Sequence, residues 1–233
     1  MVSIDLTLFE TLQKKLNHHF KNRQLLEEAL THPSVDDYDA RHVGYERLEF
    51  LGDRVLGLVA AQILLERYPN ETEGDIAKRH TAIVQKAALV YVAEKLSLGQ
   101  CLVLSSGEHQ TGGREKQTIL ADATEALIAA LYLDGGFETA NGFIRQYWGE
   151  LVESHAQPPQ DPKTQLQEWA QARQLPLPKY NVIKQTGSQH EPEFFVEVCV
   201  EGLEETVGIA SSKRKAEKSA ALKILSMIQE SEN

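Results

Sequence analysis

The chain is 233 residues long, enough for one large or two modest domains with real cores, and carries a formal net charge of −10. No stretch is apolar over the length needed to cross a bilayer. Its two cysteines, Cys101 and Cys199, stand too far apart for metal-ligand spacing and read as ordinary thiols rather than a disulfide framework.

Met1 to Glu10 already includes Asp5 and Glu10 and has no basic region leading into an apolar run, which predicts no secretory signal and a cytoplasmic location. Leu8, Leu12, Leu16 and Phe20 recur at helical spacing, as do Leu25, Leu26, Ala29 and Leu30. Thr31-His32-Pro33-Ser34 breaks the pattern, and Asp36 to Arg41 is a polar, irregular stretch. From Tyr45 to Tyr68 the chain is rich in Leu, Val, Ala and Ile, which predicts a largely buried central helix stopped by Pro69-Asn70. One further helix is expected from Glu73 or Gly74 to Leu96; Gly99 to Gly113 is punctuated by glycine and serine, and Gly112-Gly113 with Arg114 predicts an exposed loop. Thr118 to Leu133 returns to an Ala- and Leu-rich helix stopped by Gly135-Gly136. A last helix, Phe137 to Leu151, places Phe143, Tyr147 and Trp148 on one side, most simply as core.

His155 to Pro162, with three prolines and two glutamines, is the linker candidate, separating a domain of residues 1–154 from one of residues 163–230. Thr164 to Gln174 is helical until Pro176 and Pro178, and Tyr180 to Lys184 can form a short strand. Phe194 to Val200 alternates Phe194, Val196, Val198 and Val200 against Phe195, Glu197 and Cys199, a half-buried strand, and Thr206 to Ala210 supplies a third. Ser212 to Gln229 closes with a helix striped by Ala216, Ala220, Ile224 and Met227. The order α-β-β-β-α predicts a small α+β domain, an antiparallel sheet with both helices on one face, behind an all-α domain.

Tyr45 to Asp53 carries the most informative pattern. At roughly 100° per residue, Glu46, Glu49 and Asp53 fall within an arc of about 60° and climb about 10 Å. Asp122 and Glu125, three apart, share a face of their own helix. Both groups sit among residues that should be buried, where carboxylates lose hydration, repel one another and need cations. A hard divalent ion such as Mg²⁺ accepts carboxylates together with waters and phosphate oxygens. It lowers the pKa of bound water and stabilises a phosphoryl group in transfer. Glu49, Asp53, Asp122 and Glu125 are therefore candidate ligands for metal-assisted phosphodiester hydrolysis. The spacing alone equally fits an acidic face that docks a basic protein, and Glu46 equally fits a structural pair with Arg47 or His42. Gly52 and Gly57 inside the helix would permit close approach of another element.

The charge is uneven along the chain. Residues 1–160 hold 15 Lys or Arg against 23 Asp or Glu, and residues 161–233 hold 9 against 11, with Lys213, Arg214, Lys215, Lys218 and Lys223 gathered in one segment. Lys213, Arg214 and Lys215 open the last helix, where basic side chains and a helix N-terminus both favour phosphate, and Lys218 extends the face of Arg214. A merely solvated helix face carries the same pattern.

Glu46-Arg47-Leu48-Glu49-Phe50-Leu51-Gly52-Asp53 resembles the signature of the ribonuclease III family. Thr31-His32-Pro33-Ser34, Glu73-Gly74-Asp75, Gly107-Glu108 and Ile119 to Leu127 match further segments in the right order. The second part is similar to the double-stranded RNA-binding domain of bacterial members, through Asp161 to Thr164, Leu166-Gln167-Glu168, Gly208, and Ser212 to Glu217 with Ala220-Ala221. The resemblance covers nearly the whole chain. It implies a helical endonuclease fold, with Glu49, Asp122 and Glu125 on metal-binding positions and Asp53 on a catalytic carboxylate. Glu46 falls on an acidic position that helps to place substrate, and Glu73 on one facing the substrate valley. Thr164, Gln167, Glu168 and Gln171 fall on the RNA-contacting first helix, His190 on the loop between the first two strands, and Lys213, Arg214, Lys215 and Lys218 on the basic helix; such a frame reads A-form RNA by shape.

The resemblance further implies a homodimer that cuts both strands of double-stranded RNA with Mg²⁺, Mn²⁺ substituting, and needs no organic cofactor or membrane. Products would carry 5′-phosphate and 3′-hydroxyl ends with two-nucleotide 3′ overhangs, in the processing of ribosomal RNA precursors and other structured RNAs. Tyr45, Ala77 and His80 depart from the commonest residues at their positions; the last of these weakens one potential RNA contact and bears on substrate affinity or preference rather than on the metal ligands. A double-stranded RNA-binding protein with an inert nuclease domain remains the alternative.

Overall fold

A computed structural model describes residues 6–35, 44–153, 161–188 and 192–231. The chain divides between Pro159 and Gln160 into two compact units. The irregular stretch expected at Asp36 to Arg41, His42, the segment 155–160 and His190 lie outside the described residues. Asp161 and Pro162, expected in the linker, instead open a helix: the Asp161 side chain accepts from the Lys163 amide and Pro162 takes the first helical position.

The first unit is helical: α1 (Leu6–Leu16), α2 (Arg23–Ala29), α3 (Glu46–Arg67), α4 (Glu73–Val84), α5 (Lys86–Leu96), α6 (Leu98–Cys101), α7 (Ser106–Gln110), α8 (Gln117–Gly135) and α9 (Phe137–Glu153). Its centre is α8, where Ile119 to Ala121, Ala123, Thr124 and Ala126 to Leu131 are all buried. A run of alanines lets α3, α5 and α9 approach this helix closely. The centre was expected in α3. That helix does bury Leu48, Val55, Leu56, Val59, Ala60 and Leu64, but it leaves Phe50, Leu58 and Leu65 exposed at 65%, 61% and 62%.

The single helix expected over Glu73 to Leu96 is two helices. Gln85, at φ −67° and ψ 159°, is extended and breaks it. Neither Gly nor Pro marks the break; the buried Trp148 of α9 accommodates it by donating its indole N–H to the Ile83 carbonyl at 2.8 Å. Midway along α4, Arg79 is buried against the Tyr68 ring and forms two hydrogen bonds of 2.7 Å to Glu71, just before the helix. The exposed loop expected at Gly112-Gly113 with Arg114 is only partly so: Gly112 is exposed, but Gly113 is buried and opens a single 3-10 turn, Gly113–Glu115. Cys101 to Leu104 is buried, Val103 bridges Thr31, Ser106 to Gln110 is the short helix α7, and Arg114 donates to the carbonyls of Gly99 and Gln100. Among the described residues no helix is long and apolar enough to cross a membrane.

The second unit is α10 (Pro162–Ala172), β1 (Lys179–Gly187), β2 (Pro192–Cys199), β3 (Thr206–Ala210) and α11 (Lys213–Ser231). The strands form one antiparallel sheet in the order β1-β2-β3, with a register shift between Val182 and Lys184. Alternation holds for Val196, Val198 and Val200, which are buried, but Phe194 is only half-buried. Leu166 of α10 and Ala220, Ala221, Ile224 and Ile228 of α11 share that core, while Met227, expected in the stripe of α11, is exposed. A Cβ at Gly208 would lie 2.1 Å from the Ala216 carbonyl oxygen, so only glycine lets α11 lie this close to β3.

Candidate active site

Two helices build the acidic site of the first unit. Glu46, Glu49 and Asp53 lie on the first two turns of α3, and Asp122 and Glu125 on the first half of α8. Carboxylate oxygens of Glu49, Asp122 and Glu125, one from each, lie within 4.8 Å of one another. All three side chains are half-buried, and none forms an ion pair with another described residue.

The electrostatics follow from that convergence. Burial and the charges of Asp53, Glu49 and Asp122 push Glu125 up to about 7, with Arg54 opposing. Glu49 is raised by burial first and then by Asp122, Glu46 and Asp53. Asp122 is raised by burial, against the pull of Lys86 and His32. His32 accepts from the Ser34 amide through Nδ1 at 3.0 Å. Tyr45 is buried beneath the cluster, edge-on to His32, and its phenol is pushed far up by burial and by the same carboxylates. Three carboxyls that resist ionisation together, and that offer only oxygen donors, fit a hard divalent cation.

Of the remaining sequence candidates, Asp53 sits at the open side of the cluster, paired with Arg54, and Glu46 is exposed. Both still act on Glu49 through charge. Glu73 is exposed in the first turn of α4, and no hydrogen bond or ion pair among the described residues joins it to the cluster. His80 turns inward, its Nε2 2.9 Å from the Gly57 carbonyl oxygen. Lys86, whose charge reaches Asp122, was missed: it opens α5 only because the chain breaks at Gln85.

In the second unit Thr164, Gln167, Glu168 and Gln171 are all exposed, at spacings that put them on one face of α10. Lys213, Arg214 and Lys215 are exposed on the first turn of α11. Two ion pairs tie the starts of these helices together: Lys163 with Glu217 at 2.6 Å, and Lys218 with Asp161 at 2.5 Å. Lys218 is thus already engaged by a carboxylate, which its sequence position did not reveal.

A family profile described as Ribonuclease-III-like matches residues 22–151, and one described as Double-stranded RNA binding motif matches residues 162–228. A protein named Ribonuclease 3 from Wolbachia pipientis subsp. Culex pipiens is 44% identical over 224 residues, 95% of this chain and 97% of that protein. One of the same name from Caulobacter vibrioides is 46% identical over 215 residues, 92% and 93% of the two chains. Among solved structures, the nuclease domain of a ribonuclease III from Campylobacter jejuni, described for flexibility in a region involved in dimer formation, is 38% identical with a TM-score of 0.58. That match covers 61% of this chain and 96% of the other.

Proposed function

Because the chain belongs to the ribonuclease III family and is an enzyme of that family acting on double-stranded RNA, we propose that Glu49, Asp122 and Glu125 hold a divalent metal ion for phosphodiester hydrolysis. The carrying observation is the approach of three half-buried carboxylates to within 4.8 Å. All-oxygen donors select Mg²⁺, which Mn²⁺ can replace. When bound, such an ion supplies Lewis-acid stabilisation of charge on the phosphoryl group. Glu125 surrenders its proton as the site fills, because a ligand carboxyl must be ionised. Asp53 is the catalytic carboxylate at the open side of the cluster, and Glu46 extends the acidic wall toward the incoming strand.

The active form is a homodimer with one such site in each copy, leaving 5′-phosphate and 3′-hydroxyl ends and two-nucleotide 3′ overhangs. The exposed apolar residues Phe50, Leu58 and Leu65 support this reading, since they fall within an arc of about 80° on α3. The domain limits are residues 1–154 and 161–230, joined through 155–160, because Asp161 and Pro162 already open α10. Thr164, Gln167, Glu168 and Gln171 contact the minor groove, and Lys213, Arg214 and Lys215 the phosphates, with His190 and Glu73 adding contacts and Lys218 held back by Asp161. The enzyme works in the cytoplasm on ribosomal RNA precursors and other structured RNAs.

The test is incubation of purified protein with a long RNA duplex and a matched single strand, with and without Mg²⁺, reading fragment lengths and end groups. Duplex-specific, Mg²⁺-dependent cutting is expected, abolished by Glu125→Gln with RNA binding retained. Unchanged cutting by Glu125→Gln would overturn the ligand assignment, and a protein that binds duplex RNA without cutting it would overturn the mechanism.

A further inference from the structure

The break at Gln85 exposes a cation at the rim of the acidic cluster. Lys86 is the first residue of α5, is exposed, and forms no ion pair with any described residue. Its charge nevertheless reaches Asp122. It lines a groove of about 520 Å³ together with Gln85, Tyr91, Glu94 and Gln117, within the size range of small-ligand sites. Gln117 begins α8, the helix that carries Asp122 and Glu125, so the groove and the acidic cluster share an element.

An ammonium beside carboxylates that hold a divalent ion is repelled by that ion. Lacking a carboxylate partner of its own, it is favourable there only when an anion lies between the two cations. A nucleic-acid backbone provides such anions at every residue. The first-turn N–H groups of α5 add positive character at the same place. Gln85 and Gln117 offer neutral donors and acceptors of the kind that meet ribose hydroxyls. Glu94 stands two turns further along α5, about 12 Å away, and marks the end of the groove that would repel phosphate.

We propose that Lys86 is a substrate-contact residue, binding a backbone phosphate next to the scissile one as the strand passes from the acidic cluster into the α5 groove. This rests on the acidic cluster being the cleavage site. The contact forms with the ground-state duplex and in the transition state alike, so it acts on substrate binding more than on the chemical step.

The test compares the full-length protein with Lys86→Gln and Lys86→Arg in steady-state cleavage of an end-labelled RNA duplex over a range of salt, with Mg²⁺ affinity of the RNA-free proteins measured by calorimetry. Lys86→Gln should raise KM about tenfold, the size of one charge-assisted hydrogen bond, with a smaller change in kcat. Its salt dependence should be shallower by about one phosphate contact. Mg²⁺ affinity should hold or tighten, because a positive charge has left the rim, and Lys86→Arg should stay near the parent. Equal KM and equal salt dependence for parent and Lys86→Gln would overturn the assignment alone. A parent that fails to cut duplex RNA at all would overturn the assignment and the proposed function together.

Discussion

Gly52 of α3 lies directly on the main chain of Glu125 in α8: a Cβ at Gly52 would stand 1.8 Å from the Glu125 carbonyl oxygen. Glu49 lies one turn before this crossing point and Asp53 immediately after it, so the approach of the two backbones brings carboxylates of both helices together. Gly52→Ala puts two effects in opposition. Helix propensity favours alanine by about 1 kcal/mol. An overlap with backbone atoms has no flexible side chain to absorb it and costs roughly 1–3 kcal/mol or more. The overlap wins. Gly52→Ala is expected to lower the melting temperature by several degrees and to impair metal binding, as thermal melts with and without Mg²⁺ would record. A variant as stable as the parent would mean that the helices do not cross here.

Glu125 gives the site a pH signature. In the metal-free folded protein its carboxyl is pushed up to about 7, from the ordinary glutamate value of 4.5. Between those values the folded state holds more protons than the unfolded state, so stability falls as pH rises through this window. Metal binding requires the ionised form and removes the penalty. The rise in melting temperature on adding Mg²⁺ should therefore be small near pH 5 and level off above about 7. An increment independent of pH would contradict it. Glu125→Gln should lose the increment at every pH while leaving the metal-free protein at least as stable as the parent at pH 8.

The exposed stripe on α3 leads to a third expectation. Phe50 is 65% exposed and carries the Arg54 guanidinium over its ring at 4.6 Å. A large aromatic left in water beside Leu58 and Leu65 is the composition of an interface centre. Sedimentation of the parent at micromolar concentration should show a dimer, and Phe50→Asp should weaken it by about a hundredfold or more. A parent that sediments as a monomer would refute the dimer.

Much of this was legible from local pattern. Three- and four-residue spacing placed Glu49 with Asp53 and Asp122 with Glu125, and strict alternation identified Val196 and Val198 as core. What pattern could not carry was decided by distant partners. Phe50, Leu58 and Leu65 look in sequence like the buried residues of α8, because apolar character does not say which surface a residue meets. The turn at Gln85 has no local breaker, and the carbonyl it frees is met by Trp148, 65 residues from Ile83. Lys86 was invisible for the same reason, as was the partner of Lys218.

That partner supports a fourth prediction. Asp161 both caps α10, accepting from the Lys163 amide, and holds Lys218 at 2.5 Å. Lys218 and Asp161 are 39% and 34% exposed, so the pair adds little stability, less than about 1 kcal/mol. Its larger effect is to withhold a cation from the phosphates that Lys213, Arg214 and Lys215 meet. Asp161→Asn keeps a capping side chain and removes the charge that occupies Lys218. The variant should bind an RNA duplex several-fold more tightly at low salt, with a salt dependence steeper by up to about one phosphate contact. Filter binding of parent and variant across a salt series reads both quantities. Equal or weaker binding with an unchanged slope would mean that Lys218 serves the fold alone, and that the phosphate grip of α11 ends at Lys215.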